Sequence, residues 1–196
     1  MEQTRLQHSA TDAERPDVSI IVPAYEEAES LPELADGLRS ACEEAGLSFQ
    51  VWIIDDGSRD DTWAVVQRLH EEDPRVAGLR FRRNYGKSAA LAMGFDRVQG
   101  RYVATIDADL QDDPKEIPRL LDTLEEGDYD LVSGWKRDRK DPLSKTIPSR
   151  FFNWVTRLFS GLPLHDFNCG LKVYRREVVK SVNVYGELHR YIPLLA

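Results

Sequence analysis

Asp107, Asp109 and Gln111 occupy alternate positions in Asp107-Ala108-Asp109-Leu110-Gln111, just after a β-forming run that ends at Ile106. Side chains at a strand end alternate with a period of two, so these three oxygen-bearing groups can point the same way. Such a set suits a hard divalent cation, Mg²⁺ or Mn²⁺, which keeps some waters and takes further ligands from phosphates. The competing reading is an acidic turn into the next helix, a role that fits Asp113, the cap before Pro114. Asp107 and Asp109 repel each other unless a cation offsets them, which favours metal there.

Other segments have a similar character. In Asp55-Asp56-Gly57-Ser58, one carboxylate can accept hydrogen bonds from a nucleobase or ribose hydroxyl, while Gly57 allows a tight turn. Ser58, Asp60 and Asp61 read as caps of the following helix. Pro23-Ala24-Tyr25-Glu26-Glu27 offers a rigid turn, an aromatic face and a polar anchor, although Tyr25 can equally be a packing residue. Between Lys136 and Arg150, Lys136, Arg137, Arg139, Lys140, Lys145 and Arg150 outnumber two aspartates. This basic excess can clamp a diphosphate or attract a phosphate-bearing acceptor, or can be a solvated loop. Asp166 is either a base or acceptor-positioning group, or a loop cap. His165 reads as structural or surface, and Cys169 as a small buried residue.

The elements that position these groups alternate in the pattern of an α/β fold, a mostly parallel central sheet with helices on both faces. Expected strands run Val18–Val22 (stopped by Pro23), Phe49–Ile54, Val76–Phe81, Arg101–Ile106 and Tyr129–Ser133. Helices are expected over about 26–45, from Asp60 or Asp61 onward with Trp63, Val66 and Leu69 inward, over 86–98, after Pro114, and over about 144–159. A last strand and helix fall within 170–181. Ligands of open parallel sheets bind beyond the carboxyl ends of the strands. Tyr25 and Glu27, Asp55 and Asp56, Asp107 to Gln111, and Lys136 and Arg137 all follow strands, so four strand ends deliver polar groups to one rim.

Length and composition narrow the possibilities. The chain has 196 residues, 41% hydrophobic, enough for one sizeable core. A net charge of −8 argues against nucleic acid, because neutralising phosphates needs a basic surface. Cys42 and Cys169 lack metal or disulfide spacing and point to free thiols in a reducing compartment. No apolar run approaches the roughly 18 residues of a membrane span, and the first residues lack the apolar region of a secretory signal. Residues 1–16 read as a flexible lead-in and 17–196 as a single domain.

Other chemistries fit less well. Gly86-Lys87-Ser88 looks like the end of a phosphate-binding P-loop, but that motif needs a glycine where Phe81 stands. No G-x-G-x-x-G follows a strand, which disfavours a dinucleotide dehydrogenase. A receiver-like signalling domain, the leading non-enzyme alternative, wants its acid pair after the first strand, as a haloacid-type phosphatase wants its D-x-D. Here the acids follow the second and fourth.

Together these residues resemble the family 2 glycosyltransferases of the GT-A fold. The resemblance runs from Val18-Ser19-Ile20-Ile21-Val22-Pro23-Ala24-Tyr25-Glu26-Glu27 through Ile54-Asp55-Asp56-Gly57-Ser58 to Asp107-Ala108-Asp109-Leu110-Gln111, and covers nearly everything after Asp17. Gln111, Ser133-Gly134-Trp135-Lys136, and Asp166 before Asn168-Cys169-Gly170-Leu171-Lys172 make it most similar to dolichyl-phosphate mannosyltransferases and bacterial polyprenyl-phosphate glycosyltransferases. The resemblance implies a Rossmann-like GT-A domain and a metal-dependent, inverting transfer of a hexose. The sugar donor would be a nucleoside diphosphate sugar of GDP-mannose or UDP-glucose type, and the acceptor a polyprenyl or dolichyl phosphate. A family member acting on a saccharide hydroxyl in envelope polysaccharide synthesis is the alternative.

It implies that Pro23, Tyr25, Glu27, Ile54 and Asp56 hold the nucleoside, and that Asp107 and Ala108 touch ribose and diphosphate. Asp109 and Gln111 would bind Mg²⁺ or Mn²⁺, Lys136 and Arg150 would face phosphate, and Asp166 would lie beside the acceptor, with Asp166 and Asp109 the catalytic pair. Lys136 stands where mannosyltransferases usually carry arginine, which removes a bidentate phosphate grip. Relatives continue past the equivalent of Tyr191 into a basic segment and often two membrane-spanning helices, so an acceptor or membrane segment is expected to be missing from the chain. The expected setting is the cytoplasmic face of an anionic membrane surface, with a homo-oligomer left open.

Overall fold

The computed structural model describes residues 4–6, 15–134 and 169–181. These form β1 (Thr4–Leu6), β2 (Val18–Ala24), α1 (Leu31–Glu44), β3 (Phe49–Asp55), α2 (Thr62–Glu72), β4 (Val76–Arg80), α3 (Lys87–Arg97), β5 (Tyr102–Thr105), α4 (Glu116–Glu126), β6 (Leu131–Ser133), β7 (Lys172–Arg175) and α5 (Arg176–Ser181). The strands make one sheet in the order β1-β4-β3-β2-β5-β7-β6. β4, β3, β2 and β5 are mutually parallel; β1 pairs antiparallel to β4, and β7 pairs antiparallel to both β5 and β6. The expected α/β sheet with helices on both faces is present, and antiparallel strands border its parallel centre.

The strand period of two divides the core between the two faces. Val18, Ile20 and Val22 of β2 and Val51 and Ile53 of β3 pack with Leu34, Leu38, Val66, Leu69, Ile117 and Leu121, from α1, α2 and α4. Ile21, Trp52 and Ile54 face the other way, onto Ala90, Leu91 and Phe95 of α3 and Val178 and Val179 of α5. Burying a side chain such as Ile20 or Ile54 contributes about 1.5–3 kcal/mol relative to exposure. That both faces of the central strands are covered explains why they read as continuous apolar runs.

Several boundaries differ from expectation. Pro23 does not stop β2, which continues to Ala24, with Pro23 opposite Ile54. The pairing of β2 with β5 ends at Ile21 opposite Thr105, so beyond it that side of β2 is open and the missing proline N–H breaks no ladder bond there. α1 begins at Leu31, with Pro32 in its first turn, rather than near Glu26, because the preceding residues form a loop tied to the rest of the rim. Its end follows expectation: Gly46 takes φ 67 and Leu47 N–H bonds back to the Cys42 carbonyl at 2.9 Å. Within the stretch read as a flexible lead-in, Thr4–Leu6 pairs with β4. The helix expected over about 144–159 lies outside the described residues.

Candidate active site

β2 sits between β3 and β5, and the chain crosses from one side of it to the other. Ligands gather at such a switch point, beyond the carboxyl ends of the strands. There the structure forms a cleft of about 270 Å³ whose lining includes Pro23, Tyr25, Glu27, Asp56, Asp107 and Asp109. Ala108, Asn84 and Lys87 line it too. Of the residues singled out from sequence, seven meet in this one space. Lys136, Arg150 and Asp166, with Arg137, Arg139, Lys140 and Lys145, lie outside the described residues.

The loop after β2 is held by hydroxyls from the next crossover. The N–H groups of Glu26 and Glu27 donate to Ser58 Oγ and Thr62 Oγ1, both at 2.9 Å. Ser58 is therefore a loop anchor rather than the expected helix cap. Asp60 does take the capping part, accepting from Thr62 N–H at 3.1 Å, while Asp61, at the cap position, makes no side-chain capping bond. Glu26 itself adopts φ 58, the left-handed region. Glu27 accepts from the Ser30 hydroxyl at 2.7 Å, which orients its carboxylate at the cleft wall.

Asp55 and Asp56 are buried, and their oxygens are engaged by the protein. Asp55 is wholly enclosed; it accepts from Ser58 N–H at 2.8 Å and pairs with Arg80 Nε at 3.2 Å. Asp56 accepts from the N–H groups of Tyr85 and Gly86 at 2.7 and 2.8 Å, fixing the loop that opens α3. Burial pushes the Asp56 carboxyl above the ordinary aspartate range; those two N–H donors draw it back, and Asp55 adds to the rise. Ile54 is fully buried in the α3 face of the core, so its side chain does not line the cleft.

Asp107 and Asp109 differ from that pair. Asp107 is half-buried, and its Oδ1 pairs with Lys87 Nζ, from the first turn of α3. Asp109 is exposed and accepts from Gln111 N–H at 3.2 Å. Between them and Gln111, Leu110 holds φ 57, a strained setting for a branched residue that lets the chain turn between 109 and 111. Gln111 is exposed beside the cleft rather than part of its lining. The cation that relieves the repulsion at Asp107 is Lys87, which in sequence stands only as the end of an incomplete P-loop motif. The available signal was its place: a lysine after a strand, on the rim already crowded with carboxylates.

From the other side, Gly170 closes on Asp107. A Cβ added there would stand 2.3 Å from Asp107 Oδ2, so only glycine fits without moving the carboxylate. The Gly170 carbonyl also accepts from Thr105 Oγ1 at 2.8 Å, locking the lead into β7 to the end of β5. The Cys169-Gly170-Leu171-Lys172 stretch is thus part of the wall behind Asp107. Cys169 is buried as expected, its Sγ 3.9 Å from Asp112. Neither cysteine is in a disulfide, and burial pushes Cys42 up to about 11, which keeps it protonated and unreactive.

The donor set fits a hard cation in one form only. No cluster of three or more metal-ligating His, Cys, Asp or Glu side chains occurs among the described residues. Asp107 is engaged by Lys87, while Asp109 and Gln111 carry oxygens at the exposed edge of the cleft, the hard-donor type that Mg²⁺ and Mn²⁺ take together with phosphate ligands.

Residues 19–182 match the family described as glycosyl transferase family 2. The chain belongs to this family. It is 41% identical over 181 residues to the undecaprenyl-phosphate 4-deoxy-4-formamido-L-arabinose transferase of Pseudomonas syringae pv. syringae, covering 91% of this chain and 53% of that protein. It is 36% identical over 179 residues to the dodecaprenyl-phosphate galacturonate synthase of Rhizobium johnstonii, covering 90% and 53%. The chain therefore spans about half the length of these relatives. Among solved structures, the fold matches a mannosyltransferase of Pyrobaculum calidifontis in complex with GDP-Man and Mn²⁺, at TM-score 0.63 and 23% identity over 89% of this chain and 48% of that one. It also matches glucosyl-3-phosphoglycerate synthase of Mycobacterium tuberculosis with Mn²⁺, UDP-Glc and phosphoglyceric acid, at TM-score 0.67 and 21% identity over 85% and 59%. The glycosyltransferase GT-A fold expected from sequence is the fold observed. Among the described residues, no helix is long and apolar enough to cross a membrane.

Proposed function

We propose that this family 2 domain binds a nucleoside diphosphate sugar in the cleft and, in the whole protein, transfers the sugar to a polyprenyl phosphate. The observation that carries the reading is the convergence of Tyr25, Glu27, Asp56, Lys87, Asp107 and Asp109 on one cleft at the sheet's switch point. Both relatives above are named for polyprenyl-phosphate substrates, which supports the lipid acceptor over a saccharide hydroxyl.

In this reading Tyr25, 40% exposed, offers its ring to the base, and Glu27 and Asp107 accept from ribose hydroxyls. Asp56 acts by holding the Tyr85–Gly86 backbone beside the nucleoside, and Lys87 places a positive charge next to Asp107. Asp109 and Gln111 would hold Mg²⁺ or Mn²⁺, which would neutralise charge developing on the leaving diphosphate. Transfer is a single displacement with inversion: an acceptor phosphate oxygen bonds to the anomeric carbon as the bond to the diphosphate oxygen breaks. A phosphate acceptor is already anionic and needs no base. Lys136 and Arg150 remain assigned to the diphosphate, Asp166 to acceptor positioning, and peripheral membrane association to the basic segment between 136 and 150.

A panel of UDP- and GDP-sugars with Mn²⁺ or Mg²⁺ tests this. The expected result is metal-dependent, saturable binding of one nucleotide class, with release of the nucleoside diphosphate when polyprenyl phosphate is added to the whole protein. Absence of metal-dependent binding for every member of the panel would contradict it.

A further inference from the structure

Beside the cleft lies a second cavity, of about 440 Å³, that shares only Tyr25 and Asn84 with it. Arg59 lines it from the loop after β3, Arg80 from the end of β4, and Arg82 and Arg83 from the loop after β4. None of the described residues that line it is acidic. Among the described residues only Arg80 of these four has an ion pair, with Asp55 beneath; its Nη2 also donates to the Ser58 carbonyl at 2.8 Å.

The two walls are fixed to each other. Gly57, at φ 74, brings its Cα so close to the second loop that a Cβ would stand 2.4 Å from the Arg83 carbonyl carbon. The Arg83 guanidinium is set over the Tyr85 ring, 4.9 Å from its centroid, and Tyr85 meets Phe81 edge-on at 5.6 Å. Like charges gathered in a preorganised cavity raise its free energy unless an anion offsets them. In a chain of net −8 such a gathering is not a by-product of composition. Arginine forks match phosphate oxygens in geometry as well as charge.

We propose that this cavity is an anion subsite, distinct from the sugar-donor cleft, that takes a phosphate group. The phosphate is either free in solution or the headgroup of an anionic lipid. The subsite stands on its own lining and does not depend on what the cleft binds.

The test titrates inorganic phosphate, at constant ionic strength, into the parent chain and Arg59→Gln/Arg82→Gln/Arg83→Gln, following the backbone amide signals of Arg59 and of Arg82 to Asn84. The parent should show local, saturable shifts, and the triple variant a dissociation constant raised about tenfold or more. Arg82→Gln alone replaces the triple variant if that one unfolds early. Sedimentation with phosphatidylglycerol–phosphatidylcholine vesicles distinguishes the sources. Weakened phosphate binding with reduced sedimentation assigns a lipid headgroup; weakened phosphate binding with unchanged sedimentation assigns free phosphate. Lack of a saturable shift in the parent, whatever its sedimentation, or equal affinity in parent and variant, overturns the proposal.

Discussion

Of the two acidic pairs that end the strands on either side of β2, Asp55 and Asp56 are 0% and 4% exposed, whereas Asp107 is half-buried and Asp109 open to solvent. In sequence the pairs look alike: carboxylates after a β-run, before a turn. Three N–H groups and the Arg80 guanidinium engage the first pair, so its charge is used inside the protein. Among the described residues the second pair has one cation, Lys87, on Asp107, while Asp109 accepts from the Gln111 N–H. Neighbours therefore decide how far the oxygens of a strand-end acid pair are taken up inside the protein, which sequence alone does not show.

The sharpest break should come at Asp55. Asp55→Ala strands the Ser58 N–H and removes the acid beneath Arg80, which is itself partly exposed. A loss of about 2–4 kcal/mol is expected, measured by urea unfolding. A loss below about 1 kcal/mol would show that the buried pair is not structural.

Asp56→Ala should cost about 1–3 kcal/mol, because two N–H groups at the start of α3 lose their acceptor. Free UDP or GDP should also bind more weakly, without metal, as the 84–87 loop loosens. A pH dependence accompanies this. The folded-state pKa of Asp56 lies above the ordinary value of 3.8, so in that window the folded chain holds more protons than the unfolded one. This group's contribution therefore falls as pH rises through the window, and Asp56→Ala should remove that part of the slope. An Asp56→Ala unfolding profile parallel to the parent's across pH 3–6 would deny the shift.

Gly170→Ala tests the wall behind the second pair. Its Cβ must push Asp107 aside, at an expected cost of about 1–2 kcal/mol together with a larger fractional loss of nucleotide affinity. Equal nucleotide affinity in parent and variant would separate Asp107 from the cleft's function. Asp109→Asn should change stability least, within about 0.5 kcal/mol, since the side chain is exposed and has no cationic partner in the described structure.

The parallel centre of the sheet was readable because Val18–Val22 and Phe49–Ile54 are apolar on both faces, and the rim because its polar groups follow strands. Pro23 misled at a boundary: whether proline ends a strand depends on whether that edge is paired, a tertiary fact. The roles of Ser58 and Lys87 depend on contacts 32 and 20 residues away in sequence, to Glu26 and Asp107, which no local pattern encodes. The arginine cavity was missed for a related reason. Arg59 and the Arg80-Phe81-Arg82-Arg83 run lie on separate connections of the sheet, and only the fold brings them together, whereas the basic residues between 136 and 150 cluster within one stretch of sequence.

In the proposed function Asp107 and Asp109 serve the sugar donor, while Asp55 and Asp56 hold the fold around it. This division is tested most directly by calorimetric titration of UDP and GDP, with and without Mn²⁺, into the parent and Asp109→Asn, with unfolding curves on the same samples. The account predicts superimposable unfolding, an Mn²⁺-dependent gain in affinity for the parent, and no such gain for Asp109→Asn. A variant that keeps the full Mn²⁺-dependent gain would contradict it.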